Sequence, residues 1–423
     1  MRAPLDLAGV GIGPFNLSLA ALADPIDGLR AVFFERAPEF RWHPGLMIDG
    51  TTVQVPFLAD LVSLVEPASP LSFLSYLKDC ERLFPFYFAE RFHVPRAEYD
   101  AYCRWASRRL PSCRFGQTVT RVSWSTVDGS FALDVSPAGR VLARNVVLGV
   151  GTAPHLPAPL RSMANVVHSG DYLPARDRLV AAPDVTVVGS GQSGAEVFLD
   201  LLRQRTSGGL RWLARTPAFA PMEYSKLGLE QFTPDYVRFF HGLDEPTRDR
   251  LEPTQWQLYK GISAETIGEI YDELYNRTVG GGWPGVTLTP GVEVTAARER
   301  GGRVELELRH VQQGSTATVL TDAVVCATGY AERDLGELLA PLAGLIRRDG
   351  AGRIAVGADY RVELTAELDG SLFVQNAERH THGVGAPDLG LAAWRSATIL
   401  NAVCGRKVYS LPDRTAFTTF GLR

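Results

Sequence analysis

Apolar positions along the chain fall into short unbroken runs that end in glycine, and between them lie stretches with helical spacing. The first run, LDLAGVG, reads as a strand; it passes through Gly9, Gly11 and Gly13 into an apolar stretch that predicts a helix from about Asn16 to Leu22. A second strand, RAVFFERA, follows. The same order returns in DVTVVGSGQSGAEVFLDLL, where a strand meets a turn at Gly189, Gly191 and Gly194. The helix after it carries Gly194, Val197, Phe198 and Leu201 at spacings of three, four and seven, a buried stripe. GLRWLAR is the strand that follows. Strand, glycine turn, helix and strand, twice over, predict an α/β chain with two Rossmann-like three-layer domains.

Smaller features fill in the plan. NVVLGVGTAPHLP and TDAVVCATGYAERD each end a buried strand in small residues, at Gly149 to Pro154 and at Ala327 to Tyr330. Such exits let backbone pass close to a cofactor or a second domain, although ordinary strand-to-loop exits look alike. SAETIGEIYDELYNR predicts a helix with Ser263 as N-cap and Ile267, Ile270, Tyr271 and Leu274 on one face. His380 and His382 are one residue apart, too close for one helical face, so a loop is expected there.

Composition changes this picture little. A chain of 423 residues can hold two or three domains and a large core. With 45% hydrophobic and 21% charged residues it reads as soluble and globular. A net charge of -4 gives no electrostatic basis for a nucleic acid or an anionic membrane as partner. No apolar run approaches the ~20 residues of a membrane span, and glycines break the N-terminal run, which reads as a strand and not as a signal peptide. Cys80, Cys103, Cys113, Cys326 and Cys404 form no C-x-x-C pair, and no histidine lies in metal-ligand spacing. A reduced, cytoplasmic chain without a bound metal is expected.

The glycine turns point to nucleotides. Only bare backbone approaches a pyrophosphate closely, and the helix beyond each turn supplies amides and partial positive charge. In the first turn Pro14 stands where a third glycine is usual; proline fits a first helical turn, but the motif alone is imperfect. Glu35 ends the next strand, 24 residues after Gly11, where a carboxylate reaches ribose hydroxyls. The second turn is an unbroken G-x-G-x-x-G with Gln192 and Ser193 inside it, and its following strand ends in Arg215. Arginine there suits a 2′-phosphate and favours NADPH over NADH; a solvated strand-end charge is the alternative. Two unlike cradles about 180 residues apart argue for two different dinucleotides.

FRWHPGLMIDGTTVQVPFLADLVSLVEPASPLSFLSYLKD, GIGPFNLSLAAL before it and NAERHTHGVGAPDLGLAAWRSATILN near the C-terminus together carry a family resemblance. From Gly9 to Arg406, in order, the chain resembles the microbial N-hydroxylating flavin monooxygenases that hydroxylate lysine, ornithine or diamines for hydroxamate siderophores. Pro14 and Asn16 belong to that family's G-x-G-P-x-N form of the turn. The resemblance implies FAD on the first turn and Glu35, with Trp42, His43 and Gln54 along the flavin and Asp388, Leu389 and Gly390 returning beside it. Read without it, Trp42 suits core packing, and His43 and Gln54 suit buried hydrogen bonding. It also implies NADPH on the second turn and Arg215, a small helical substrate region, and a homo-oligomer, a tetramer by family resemblance. The implied reaction has NADPH reduce FAD, O2 add to the flavin as a C4a-hydroperoxide, and its terminal oxygen pass to a primary amine. No protein nucleophile is needed, and no G-x-S-x-G pattern is present.

The substrate turns on VPFLADLVS. Relatives that act on free lysine or ornithine resemble F-L-K-D-L-V here, and that lysine pairs with the substrate carboxylate. Ala59 stands in its place, so an amino acid would bring a carboxylate without a partner, a cost of several kcal/mol or more. The diamine members resemble this sequence here and at APDLG, which points to cadaverine or putrescine, with Gln54, Leu58, Ala59 and Asp388 along the substrate. Asp60, Glu223 and Asp388 are candidate anchors for the distal ammonium, and a solvated surface acid is the alternative for each. A cation from elsewhere replacing the lysine would restore L-lysine or L-ornithine as substrate. A ketone- or sulfide-oxidising flavin monooxygenase, a disulfide reductase and a non-enzymatic nucleotide sensor are the rivals. A reductase needs a cysteine pair beside the flavin, and no cysteine lies near the first turn.

The expected domains are 1–160 with 331–423 for FAD, 161–252 with 282–330 for NADPH, and 253–281 for the helical substrate region. The stretches APHLPAPL and GGGWPG mark the expected crossings.

Overall fold

The apolar run Leu5–Val10 forms a central strand of a seven-stranded sheet in the computed structural model, which describes residues 3–422. Across that sheet the order is Cys113–Phe115, Ala31–Glu35, Leu5–Val10, Gly139–Leu148, Ser130–Ser136 and Thr118–Ser125, with Leu372–Val374 alongside Gly139–Leu148. Leu5–Val10 is parallel to both neighbours, which is why it reads as a continuous apolar run rather than an alternating one. The helix after it spans Pro14–Ala23 and all ten of its residues are buried, so it shows no amphipathic stripe. It begins two residues before the expected Asn16 because Pro14, with its φ preset, can occupy the first helical position.

The second sheet is parallel throughout, in the order Val166–His168, Ala323–Cys326, Asp184–Val188, Gly209–Ala214 and Val286–Pro290. The helix Gln192–Gln204 packs on it through the expected stripe, with Val197, Phe198 and Leu201 fully buried. An antiparallel meander of Val292–Arg300, Arg303–His310 and Thr316–Thr321 adds a third layer. The two small-residue strand exits meet: Thr152–Pro154 pairs antiparallel with Tyr330–Glu332, Tyr330 opposite Pro154.

Helix Ala264–Asn276 is capped by Ser263, whose Oγ accepts from Thr266 N at 3.2 Å. Ile270 faces the core, with Ile267 and Leu274 partly buried beside it, but Tyr271 is 69% exposed and does not belong to the stripe. Tyr271 adjoins Ile270 and is turned about 100° from it, and only one side of this short helix has a sheet to pack on. Helices Pro234–His241 and Glu245–Leu251 precede it, and Tyr236, Phe240 and Leu258 pack with Val384 of the C-terminal segment. The His380–His382 stretch is one helical turn, Arg379–His382, and not a loop. Its two rings part company: His380 Nε2 lies 2.9 Å from Ile354 O, while His382 stacks on Tyr360 at 4.3 Å. No helix among the described residues is long and apolar enough to cross a membrane.

Candidate active site

The first glycine turn is shaped by close approach. A Cβ on Gly9 would lie 2.0 Å from the Phe33 ring, and one on Gly11, at φ +87°, would lie 2.4 Å from Gly149 O. Gly13 differs: nothing stands within 4 Å of where its Cβ would be, so the space over the helix N-terminus is open. Asn16 staples the turn from behind, donating to Gly11 O at 2.8 Å and Val10 O at 3.2 Å while accepting from Gln375 Nε2 at 2.8 Å. Glu35 does the same from the next strand: one carboxylate oxygen accepts from Ile12 N at 3.0 Å and the other from Ala37 N at 2.9 Å.

The second turn follows the same logic. Gly189, at φ +135°, passes so close to Ala327 that a Cβ would meet its carbonyl at 2.1 Å, and a Cβ on Gly194 would lie 2.5 Å from Gly189 O. Trp212 Nε1 donates to Gly189 O at 2.7 Å. Arg215 is exposed beyond the end of its strand and makes no ion pair with the described residues. Lys260, unmarked in the sequence, comes alongside: its carbonyl is 3.2 Å from a Cβ on Gly191, and burial, then Arg379, lowers its amine pKa. Gln192 begins the helix, and its side-chain amide is taken up by protein partners. Its Nε2 donates to Glu196 and to Thr266 Oγ1, each at 3.0 Å, and its Oε1 accepts from Ser263 N at 2.8 Å.

Both turns open on one cavity of about 2730 Å³. Ordinary ligand pockets measure roughly 300–1,000 Å³, so this one has room for two dinucleotides and a small substrate. Gly13, Pro14, Trp42, His43, Gln54, Leu58, Ala59, Gly189, Gly191, Gln192, Ser193, Arg215, Asp388, Leu389 and Gly390 line it. Gly9, Gly11, Asn16, Glu35 and Gly194 stand behind the wall and hold the turns. The fit to dinucleotides rests on the open space at Gly13, the helix N-termini facing the cavity and the unpaired Arg215 guanidinium.

W-H-P-G and H-T-H-G are the seams of this cavity. A Cβ on Gly45 would lie 1.9 Å from Gly170 O, so glycine is required where the loop from the first sheet crosses the turn before helix Tyr172–Ala181. His43 has φ 46°, left-handed backbone uncommon for a side-chain-bearing residue. Its ring lies 5.3 Å from both Trp42 and Tyr330, and Tyr330 also meets His168 at 5.0 Å. Burial, then Arg96, pushes the His43 pKa down to about 4, so its imidazole is neutral at physiological pH. Trp42 is fixed by its backbone N–H, which donates to Asp100 Oδ1 at 2.7 Å, and by the Tyr99 ring at 5.0 Å. At the other seam, Arg395 and Glu378 are a fully buried ion pair at 3.1 Å, and Arg395 also donates to Gly385 O and Ala386 O. That arginine, unmarked by any motif, anchors the loop that carries Asp388.

Ala59 and Asp388 lie at the same end of the cavity. A Cβ on Gly390 would stand 3.9 Å from the Ala59 methyl, and Asp388 accepts from Gly390 N at 2.5 Å. Burial raises the Asp388 pKa to about 6 against the pull of the Gly390 and Leu391 amides. Asp60 takes no part. Its oxygens accept from Val62 N, Ser63 N, Ser63 Oγ and Phe73 N, so this acid shapes the loop from inside the fold. Glu223 lines the cavity but accepts from Ser225 N at 2.5 Å within its own exposed loop.

Two glycine-turn cradles on separate sheets, facing one cavity with neither a cysteine pair nor a nucleophile elbow among the described residues of its walls, define a two-dinucleotide oxidoreductase. The chain belongs to the L-lysine 6-monooxygenase/L-ornithine 5-monooxygenase family, whose model matches residues 3–332. It is 46% identical to the rhizobactin siderophore biosynthesis protein RhbE of Rhizobium meliloti, over 99% of this chain and 95% of that protein. It is 41% identical to the putrescine N-hydroxylase of Shewanella oneidensis, over 99% of this chain and 84% of that one. Among solved structures, the FAD-bound cadaverine monooxygenase DfoA of Erwinia amylovora superposes with a TM-score of 0.96 at 37% identity, covering 100% of this chain and 99% of that one.

Proposed function

We propose that the protein is an FAD- and NADPH-dependent monooxygenase that hydroxylates one primary amine of an aliphatic diamine, cadaverine or putrescine, in hydroxamate siderophore biosynthesis. The observation that carries the substrate is the Ala59–Gly390–Asp388 corner. Of Gln54, Leu58, Ala59, Asp388, Leu389 and Gly390 along this end, Asp388 alone bears a charge, and it is negative. A diamine presents a second ammonium, which Asp388 can pair with. An amino acid presents a carboxylate, which this corner would repel. The putrescine and cadaverine activities of the relatives support the same choice.

When bound, the cofactors supply the hard chemistry: reducing equivalents from the nicotinamide and activation of O2 at the flavin. The chain supplies placement. Gly13 and the helix Pro14–Ala23 would receive the FAD pyrophosphate, with Glu35 holding the turn and meeting the ribose. Gly191, Ser193 and the helix Gln192–Gln204 would receive the NADPH pyrophosphate, and Arg215 its 2′-phosphate. Trp42, neutral His43 and Gln54 line the flavin side. A free alkylammonium has a pKa of about 10.4, and only the neutral amine attacks. Burial in the cavity would lower the pKa of the reacting amine, a chain length away from the Asp388 corner, while Asp388 holds the distal one charged.

A domain division at 1–160 with 331–423, 161–252 with 282–330, and 253–281 belongs to this reading, supported by the two sheets and the pairing of Thr152–Pro154 with Tyr330–Glu332. So does a cytoplasmic location, supported by five unpaired thiols. Homo-oligomerisation, as a tetramer, is supported by the exposed aromatic row Phe84, Tyr87 and Phe88, and light scattering of the purified protein tests it.

The deciding experiment incubates purified protein, FAD and NADPH with cadaverine, putrescine, L-lysine, L-ornithine, a cyclic ketone and a thioether. Hydroxylamine from a diamine is expected. Greater activity on either amino acid would overturn the substrate, and ester or sulfoxide formation alone would overturn the reaction class.

A further inference from the structure

Arg96 opens the helix Arg96–Arg109, and Glu196 lies in the second turn of Gln192–Gln204, the helix whose N-terminus closes the second glycine turn. They are 100 residues apart in sequence yet form a two-bond fork: Nη1 to Oε2 at 2.9 Å and Nη2 to Oε1 at 2.8 Å. Glu196 is only 4% exposed. Arg96 Nη1 also donates to Leu46 O at 2.9 Å, in the loop that carries Trp42 and His43. Beyond the pair, Gln192 passes the connection from Glu196 to Ser263 and Thr266 at the start of the helix Ala264–Asn276.

We infer that the Arg96–Glu196 pair is a positioning contact that sets the second cradle over the first, and so governs hydride transfer from NADPH to FAD. This rests on the function proposed above. Hydride transfer needs its donor and acceptor atoms at roughly 3–3.5 Å, and a misplacement of ~1 Å costs about 100-fold in rate. Other polar contacts join the two sides elsewhere, among them the strand pairing of Thr152–Pro154 with Tyr330–Glu332 and the fork from Arg353 to Asp249, but among the described residues Arg96–Glu196 is the one that reaches the helix of the second cradle. A planar two-bond fork is directional and resists rotation as well as separation. It sits one turn from the cradle itself, so a shift at Glu196 is carried straight to the amides that face the nucleotide. Gln192, inside the glycine motif and on the cavity wall, also belongs to this tie.

The test uses the FAD-loaded enzyme without amine substrate. Arg96→Gln, Glu196→Gln, their double variant and Arg96→Lys are mixed anaerobically with NADPH in a stopped-flow instrument, and flavin bleaching is followed. FAD content, NADP+ affinity and backbone hydrogen exchange are measured beside it. The two single variants are expected to slow reduction about tenfold or more, with FAD content and NADP+ affinity within about threefold of the parent. The double variant should be no slower than the singles, because both remove one contact. Arg96→Lys, which keeps the charge and loses the fork, should recover part of the rate. Amides of 192–196 and 263–266 should exchange faster in every variant. A purely structural pair would lower Tm while reduction stayed within about twofold of the parent, and that result overturns the inference. Should the glutamine variants fail to fold, Arg96→Lys decides alone: parental reduction with parental exchange overturns it. A parent enzyme that NADPH does not reduce would instead sink the proposed function, and this role with it.

Discussion

The Ala59 methyl faces the bare backbone of Gly390, and a Cβ placed there would lie 3.9 Å from it. Ala59 is 6% exposed and stands over the loop that Asp388 caps, so its side chain decides what charge this corner offers. Ala59→Lys places an ammonium opposite Asp388. Diamine turnover should fall about tenfold or more, while L-lysine or L-ornithine hydroxylation rises above that of the parent. Hydroxylamine assays across the four amines check this; no gain with either amino acid would mean that Ala59 does not set the substrate.

The two central glycines of the first turn should separate stability from cofactor binding. Gly11→Ala meets Gly149 O at 2.4 Å in left-handed backbone, so it should lower stability by about 2–4 kcal/mol. Gly13→Ala meets nothing within 4 Å, and its φ of -83° suits any residue. The apo-protein should melt within a degree or two of the parent, yet its FAD affinity should drop about tenfold or more, because the new methyl fills the space meant for phosphate. Thermal melts of apo-protein and flavin-fluorescence titrations distinguish the two; normal FAD affinity in Gly13→Ala would place the pyrophosphate elsewhere.

Local signals carried most of this architecture, and long-range ones did not. Both strand–turn–helix units were legible because steric need writes glycine into the turns and burial writes unbroken apolar runs into parallel strands. Arg215 stands out in the sequence because it ends the strand that follows the second turn, whereas Ala59 stands out only through the family resemblance at VPFLADLVS. Tyr271 misled, since an aromatic at helical spacing does not say whether a partner surface reaches it. Arg96 with Glu196, and Arg395 with Glu378, were invisible: one pair spans 100 residues, and a buried charge looks like a solvated one until its partner is known. Glu196 alone left a trace, as an acid beside the apolar stripe of its helix.

Arg215 is the one cation of the second cradle at the end of its own strand, and it has no carboxylate partner among the described residues. Replacing it with alanine should therefore disturb no internal contact. KM for NADPH should rise about 10–100-fold, the worth of a charge-assisted contact to a phosphate, while KM for NADH, which lacks the 2′-phosphate, stays within about twofold. Equal losses with both nucleotides would assign the 2′-phosphate to Lys260 or another cation of the cavity.

Asp388 gives the substrate site its pH dependence. Burial raises its pKa to about 6, so the carboxylate is charged above that pH and neutral below it. Pairing with a distal ammonium needs the charged form, so kcat/KM for the diamine should fall about tenfold per unit as pH drops below 6. Asp388→Asn keeps an oxygen to accept from Gly390 N but carries no charge. It should raise KM for the diamine about 10–100-fold and flatten that acidic limb. Stability should move the opposite way. A folded pKa above the ordinary value means that the folded state binds the proton more tightly, so the parent loses stability as pH rises from about 4 to 6. Above pH 6 the full cost of a buried carboxylate is in place, at most about 3 kcal/mol, and the asparagine variant escapes it. Asp388→Asn should melt higher than the parent at pH 8 and level with it near pH 4. A variant that bound diamine normally, or that gained no stability at pH 8, would show that Asp388 is neither the ammonium anchor nor an uncompensated buried charge.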